Sequence, residues 1–176
     1  MNRTNPQSGS EQGTDRAAAY ASADVLLDTS CDEPALGAHL ITQRRGYEHH
    51  GIYAGHGMVI HYAGFAKSAH RGPVEEVSLH QFADGHELAV RPHPFPKFSG
   101  EETVRRARTR LGENCYRLLT NNCEHFCAWC LLGESRSEQV HTCLTHPRAG
   151  VRALLCLASA FVENRMSFGR TVVDAM

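Results

Sequence analysis

The 176-residue sequence has almost no net charge, because 18 lysines and arginines face 19 aspartates and glutamates. It therefore lacks the basic excess with which a dedicated nucleic-acid-binding domain neutralises phosphates. Glycine-rich phosphate loops of the Walker or dinucleotide type and internal repeats are also missing. These absences argue against nucleotide-binding and repeat proteins, and we expect no nucleic-acid partner.

Long hydrophobic runs are absent as well. The most apolar stretch near the C-terminus, from Ala153 to Val162, is far shorter than the ~20 residues that a membrane-spanning helix needs. The N-terminus lacks the basic and apolar regions of a secretory signal, so we expect a cytoplasmic protein. Apolar residues between Val151 and Val162 follow helical spacing, which predicts a helix that either packs on the domain or docks peripherally on a membrane.

Histidine and cysteine, by contrast, are abundant, with 12 and 7 residues. The two residue types share metal binding and thiol catalysis as their main chemistries. The cysteine count is odd, and Cys123, Cys127 and Cys130 lie too close together on one predicted helix for an obvious disulfide framework. We therefore expect reduced thiols.

The chain divides into three parts in this reading. Residues 1–34 are rich in small polar side chains without sustained periodicity and predict a disordered leader. Residues 35–143 form the expected catalytic domain, and 144–176 a C-terminal helix and tail. Within the domain, short runs rich in Ile, Val and Tyr predict strands at 38–43, 47–54, 58–63, 74–79 and 87–91. Helices are predicted over 99–111 and about 123–132, with a short strand at 115–119 between them. The fold class is α+β, an antiparallel sheet with packed helices. The arginines of the first helix, Arg105, Arg106, Arg108 and Arg110, are interpreted as a solvated face.

The strongest local motif is Thr-Asn-Asn-Cys-Glu-His-Phe at 120–126, where a predicted strand gives way to a helix. With Asn121 as the N-cap, Glu124 falls at N3 of a capping box and Cys123 in the first turn. Free amide N–H groups and the helix dipole favour a thiolate there, so we expect a lowered pKa and a nucleophilic cysteine. The alternative is a buried, inert cysteine.

Histidines concentrate in the run at 47–62, which predicts a hairpin around a Gly-His-Gly turn. A three-residue loop, 55–57, pairs Gly51 with His61 and puts His49 and His61 on one face, ~7 to 8 Å apart between Cα atoms. A two-residue loop, 56–57, instead puts His61 on the face of His50. The first register offers His49 as a base for the thiol and His61 as the group that orients it. In that register His50 is interpreted as a surface histidine, and His56 as a turn residue.

These motifs resemble a known family. Tyr-Glu-His at 47–49 with Val-Ile-His at 59–61, and Asn-Cys-Glu-His-Phe at 122–126 followed by Ser-Glu-Gln-Val at 137–140, closely resemble the lecithin:retinol acyltransferase-like family, which includes phospholipase A and acyltransferase enzymes. The resemblance covers about residues 37–140. It implies a circularly permuted papain-like architecture in which the histidine strands precede the cysteine helix. By position it implies Cys123 as nucleophile, His49 as general base and His61 as the third, ring-orienting residue.

The implied function is a thiol-dependent acyltransferase or phospholipase acting on glycerophospholipid acyl esters. Cys123 attacks the ester carbonyl and forms an acyl thioester, while His49 accepts the thiol proton and passes it to the leaving alcohol. Water as second substrate gives a phospholipase, and an amine or alcohol gives an acyltransferase. The expected partner is a phospholipid or other acyl donor, reached by peripheral membrane contact if the C-terminal helix docks there. No cofactor is expected, and no oligomeric state is indicated.

Three other functions stay open. A papain-like peptidase or amidase would use the same residues, because the site does not distinguish an ester from an amide. A zinc site could combine Cys123, Cys127 and Cys130, at i, i+4 and i+7 of one helix, with His49 or His61. A non-catalytic interaction module is the third alternative.

Overall fold

A computed structural model describes residues 24–28, 33–65, 71–145 and 151 of the chain. Six strands form one antiparallel sheet in the order β1-β6-β2-β3-β4-β5. The strands are β1 (Val25–Leu26), β2 (His39–Arg44), β3 (Tyr47–Gly55), β4 (Met58–Gly64), β5 (Gly72–Ser78) and β6 (Leu88–Arg91). The helices are α1 (Leu79–Ala83), α2 (Gly100–Arg108), α3 (Cys123–Leu132) and α4 (Glu138–Thr145). The α+β class is confirmed, and the circularly permuted papain-like order stays a prediction.

Two predictions about where strands lie differ from the structure. The strand expected at 115–119 is wrong, because the segment makes a tight turn closed by a single bridge between Arg117 and Asn121. Strand β1 lies in the stretch interpreted as a leader and pairs with β6 through Val25 and Val90. The division of the chain into leader, domain and tail stays a prediction, and the predicted helix over 151–162 lies outside the described residues except for Val151.

The sheet carries a core on each face. Along β3, Ile52 and Ala54 point to the cluster built with α2 and α3. Tyr53 points the other way and packs with Phe82 of α1. Successive side chains of a strand alternate between faces, and this assigns His50 to the α3 side and His49 to the α1 side. The two neighbouring histidines therefore serve different environments.

The β3–β4 hairpin has the register that unites the two candidate catalytic histidines. Gly51 pairs with His61, as the three-residue loop predicted. His49 and His61 therefore project from one face of the sheet, and this part of the prediction is confirmed.

The loop itself differs from the prediction. Gly55 pairs with Met58, so only His56 and Gly57 form the turn. Both have positive φ, 52° and 70°, as a type I′ turn requires. A bulge between Tyr53 and Gly55 supplies the extra residue that a two-residue loop lacks, and so restores the register. The predicted link between loop length and register is wrong, because a bulge compensates for the shorter loop.

The arginines of α2 do not form one solvated face. Arg105 and Arg108 are exposed. The Arg106 guanidinium, however, lies 4.0 Å from the centre of the Trp129 ring, and that of Arg110 lies 5.2 Å from the same ring. The Arg106 contact joins α2 to α3, and Arg110, two residues beyond the end of α2, contacts α3 in the same way, so half of the predicted charged face stabilises this packing. Among the described residues, no helix combines the length and apolarity that crossing a bilayer requires.

Candidate active site

His49 and His61 form a buried, hydrogen-bonded pair. Their Nε2 and Nδ1 atoms lie 2.8 Å apart, and each residue is only 2% exposed. The rings meet edge to face, and both contact the ring of Phe82. Packing on a rigid aromatic side chain fixes the orientation of both imidazoles, as an acid–base pair needs.

Glu75 of β5 extends this pair, and sequence reasoning missed it. It stands opposite His61 in the β4–β5 ladder, with its Oε1 3.2 Å from His61 Nε2. A carboxylate there favours the tautomer of His61 that is protonated on Nε2, so Nδ1 accepts the proton of His49 Nε2. His49 Nδ1 is then the atom left to act as a base. The signal in the sequence was a glutamate on the histidine face of the strand that follows β4.

Cys123 is the first residue of α3 and meets the main chain of β3. The β3–β4 ladder ends at Gly51 and His61, so residues 47–50 of β3 are not paired with β4. The Cys123 sulfur lies 4.0 Å from the carbonyl oxygen of Glu48. It also faces the backbone N–H of His50. The sulfur is thus held against the residues on either side of His49.

The predicted lowering of the Cys123 pKa is wrong. Burial dominates and raises the pKa of the thiol to about 12. The backbone N–H groups of His50, Glu124 and Cys123 itself act in the opposite direction, since they stabilise a thiolate, but they do not outweigh desolvation. The resting group is therefore a thiol, and nucleophilic attack needs a base that takes the proton during the reaction.

The cap of α3 is shifted by one residue from the prediction. Asn122, not Asn121, is the N-cap, and its Oδ1 accepts from the backbone N–H of His125 at 2.9 Å. His125 occupies N3 and completes the capping box, so Glu124 falls at N2. The helix ends at Leu132, as predicted, and Gly133 caps it in the left-handed conformation. Cys123 keeps its predicted place in the first turn.

Glu124 is freed by that shift for another contact. Its carboxylate accepts hydrogen bonds from the Ser137 hydroxyl and from the backbone N–H groups of Glu138 and Gln139. These contacts dock the start of α4 beside Cys123. None of the described side chains of α4 is fully buried, so polar contacts such as these attach the helix to the domain.

The interpretation of His50 as a surface residue is wrong. His50 is fully buried on the α3 side, where its Nδ1 lies 2.9 Å from His39 Nε2 and its Nε2 lies 2.8 Å from Gln139 Nε2. Burial lowers its pKa to about 4, with Glu124 acting in the opposite direction. The sequence could not predict this burial, because a strand segment covered on both faces does not alternate between polar and apolar residues.

Tyr47 lies beside His49. Its ring meets that of His49 edge to face, with centres 6.3 Å apart. Burial first, and then repulsion between a tyrosinate and a Cys123 thiolate, raise the pKa of Tyr47 to about 12. The structure thus joins His49 directly to His61, and brings Cys123 to the same stretch of β3 through its backbone and through Tyr47.

The zinc alternative finds no support in the described part of the chain. Cys127 and Cys130 are fully buried among apolar side chains of the α3 core, as core residues would be. Among the described residues, no three His, Cys, Asp or Glu side chains are grouped so that they could hold a metal ion.

Comparison with known proteins adds independent observations. A family model described as lecithin retinol acyltransferase matches residues 32–136. The human protein "Phospholipase A and acyltransferase 2" is 32% identical over 148 residues, covering 73% of this chain and 88% of the relative. The orangutan (Pongo abelii) protein "Phospholipase A and acyltransferase 3" is 27% identical over 152 residues, covering 76% and 94%.

Proposed function

This chain belongs to the lecithin retinol acyltransferase family, and on that premise we propose that it is a thiol-dependent acyltransferase or phospholipase A-type acyl hydrolase. It would act on glycerophospholipid acyl esters through an acyl-thioester on Cys123. The observation that carries the proposal is the line of Glu75, His61 and His49 on one face of the sheet, next to the segment of β3 that contacts the Cys123 sulfur.

The proposed first half-reaction uses His49 as general base. His49 Nδ1 takes the thiol proton as the Cys123 sulfur attacks the ester carbonyl, and the carbonyl oxygen becomes an oxyanion. The backbone N–H groups that face the sulfur, those of Cys123, Glu124 and His50, are the candidate donors to this oxyanion. When the tetrahedral intermediate collapses, the ester C–O bond breaks and the leaving alcohol receives the proton from His49.

The second half-reaction regenerates the thiol. Water, an amine or an alcohol gives a proton to His49 and attacks the thioester carbonyl, and the sulfur leaves with that proton as a thiol. With water the product is a free fatty acid, and with an amine or alcohol it is a new amide or ester. In both steps His61 orients the ring of His49 and stabilises the positive charge that His49 gains with the proton. Glu75, beside His61, adds to this stabilisation.

Exposed apolar side chains near the start of α3 favour a lipid over a peptide as acyl donor. Leu118 and Leu119 directly precede the capping turn and are 41% and 58% exposed. Phe65, 39% exposed, contacts Tyr116 with ring centres 5.6 Å apart. An apolar rim of this kind suits acyl chains at a phospholipid surface, and we propose peripheral contact there.

The direct test is thioester formation. After incubation with phosphatidylcholine vesicles, intact-protein mass spectrometry should show one acyl adduct on the wild-type chain. Digestion should then locate this adduct on the peptide that contains Cys123. Cys123→Ala should abolish it, whereas Cys115→Ser, at an exposed cysteine, should retain it. An adduct that survives in Cys123→Ala would overturn the nucleophile. Cys123-dependent cleavage of peptides without any turnover of phospholipid would favour the peptidase alternative.

A further inference from the structure

We propose that Gln139, the second residue of α4, is a positioning residue for the nucleophile and its base. Its side-chain amide holds the main chain of Glu48 and the ring of His50, the residues on either side of His49. The kinetic part of this inference rests on the proposed thiol chemistry, whereas its spectroscopic part does not.

The orientation of the Gln139 amide is fixed by the backbone. Its Oε1 lies 3.0 Å from the backbone nitrogen of Glu48, which can only donate. The oxygen must therefore be the atom on that side, and Nε2 points to the other groups. These are Glu124 Oε2 at 3.2 Å, the Glu48 carbonyl oxygen at 3.4 Å and His50 Nε2 at 2.8 Å.

This orientation determines the protonation of a row of histidines. The Gln139 amide nitrogen only donates, so His50 Nε2 must accept and the proton of His50 sits on Nδ1. His50 Nδ1–H then donates to His39 Nε2 at 2.9 Å, and His39 Nδ1–H donates to His93 Nε2 at 2.8 Å. Because the row ends on an amide, it orients the rings and does not carry protons to the site.

The Gln139 amide, which we call the clamp, lies where it would matter for catalysis. The Cys123 sulfur touches the carbonyl oxygen of Glu48 and faces the N–H of His50. Gln139 grips both residues, so it sets the position of His49 between them relative to the sulfur. Glu124, next to Cys123, anchors the backbone of Gln139 in turn. Nucleophile, base and clamp are thus joined in one hydrogen-bonded unit.

The kinetic test uses two replacements of similar length. Gln139→Met removes every hydrogen bond of the amide, and we expect kcat for acyl transfer to fall roughly 10- to 100-fold with KM within about twofold, as a misplaced base would cause. Gln43→Met is the matched control, because the exposed Gln43 amide bonds the carboxylate of Glu48 and not its main chain. It should keep wild-type kcat.

Gln139→Glu gives a readout that mere loss of stability would not. As a carboxylate it cannot donate to His50 and is repelled by Glu124, whereas the protonated acid donates again. Its kcat relative to wild type at the same pH should therefore rise as pH falls from 8 to 6, by up to about tenfold per unit. The other charges around His50 are those of Arg91, Glu48 and Asp24, which the wild type and both Gln139 variants share. The relative kcat of Gln139→Met should stay constant with pH.

The spectroscopic test needs no substrate. Side-chain ¹⁵N NMR of the full chain at pH 7 should show His50 and His39 neutral and protonated on Nδ1. Gln139→Met should lose this signature at His50. A wild-type His50 protonated on Nε2, or a Gln139→Met variant with wild-type kcat, would overturn the positioning role. If wild type turns over no phospholipid but shows the Nδ1–H signature, the proposed function fails while the clamp stands.

Discussion

The thiol of Cys123 sits where two electrostatic effects compete. The partial positive charge at a helix N-terminus stabilises a thiolate in the first turn and so lowers the pKa of a cysteine there. Burial, however, removes the solvation of the full thiolate charge and raises the pKa. Cys123 is 3% exposed, and burial prevails. A buried thiol of this kind is unreactive until a base accepts its proton, so the proposed reaction depends on the histidine pair. The pair is therefore where substitutions should be most informative.

Glu75 is the side chain through which that pair can be tested without removing either ring. Glu75→Gln keeps the size of the residue but removes the negative charge beside His61 Nε2. We expect kcat to fall about 10-fold with KM little changed, because the charge on the histidines during proton transfer loses its support. Steady-state kinetics on phospholipid vesicles measure this.

Glu76 provides the control for Glu75. It is the next residue of β5, projects from the opposite face and pairs with Arg108 of α2. Glu76→Gln should retain wild-type kcat. Equal kcat values for Glu75→Gln and Glu76→Gln would show that the charge beside His61 does not matter.

Helix α3 was predictable from sequence to within a residue, but its chemistry depended on that residue. Two consecutive asparagines precede Cys123, and propensity does not choose between them. The structure uses Asn122 as the cap, which turns Glu124 away from the helix start and towards α4. The predicted box would have kept Glu124 at its own N-terminus, so the docking of α4 could not be foreseen.

The cap can be tested at the same helix. Asn122→Ala should lower the free energy of unfolding by about 1 kcal/mol, because the N–H of His125 loses its acceptor. Asn122→Ser should recover most of the loss, since a serine hydroxyl accepts the same bond. Urea unfolding followed by far-ultraviolet circular dichroism measures the difference. If both variants were equally stable, the Asn122 side chain would not be the cap.

The hairpin shows why register was easier to predict than geometry. Pairing Gly51 with His61 brings His49 and His61 to one face of the sheet, and that register is observed. A three-residue loop would give this register directly, and a two-residue turn with a bulge gives it equally well. His50 was misjudged for a related reason: a strand segment covered on both faces, here by α3 and α1, gives no polar side by which sequence could place it. The contacts of Glu75, Gln139 and His39 join distant segments, which local pattern does not encode.

Across the molecule as a whole, the buried histidines make stability depend on pH. Burial lowers the pKa of His50 to about 4, and burial together with His50 and His93 lowers that of His39. Unfolded histidines titrate near 6.5. As pH falls below this value, the unfolded chain takes up protons that the folded chain refuses, so the free energy of unfolding must fall. The loss begins near pH 6.5 and continues towards pH 4.

The size of this effect follows from linkage. Each such histidine contributes a slope of up to about 1.4 kcal/mol per pH unit. His50→Gln should reduce the slope of the free energy of unfolding against pH, between pH 6.5 and 5, by up to about 1.4 kcal/mol per pH unit. This holds whatever the substitution does to stability at pH 7.5. His86→Gln, at an exposed histidine, should leave the slope as in wild type. Urea unfolding at half-unit steps of pH measures both, and a wild-type slope in His50→Gln would mean that His50 becomes charged within the fold. In that case its Nε2 would carry a proton and could no longer accept from the Gln139 amide, so this hydrogen bond would break on acidification, whereas the bonds from His50 to His39 and from His39 to His93 would keep their direction.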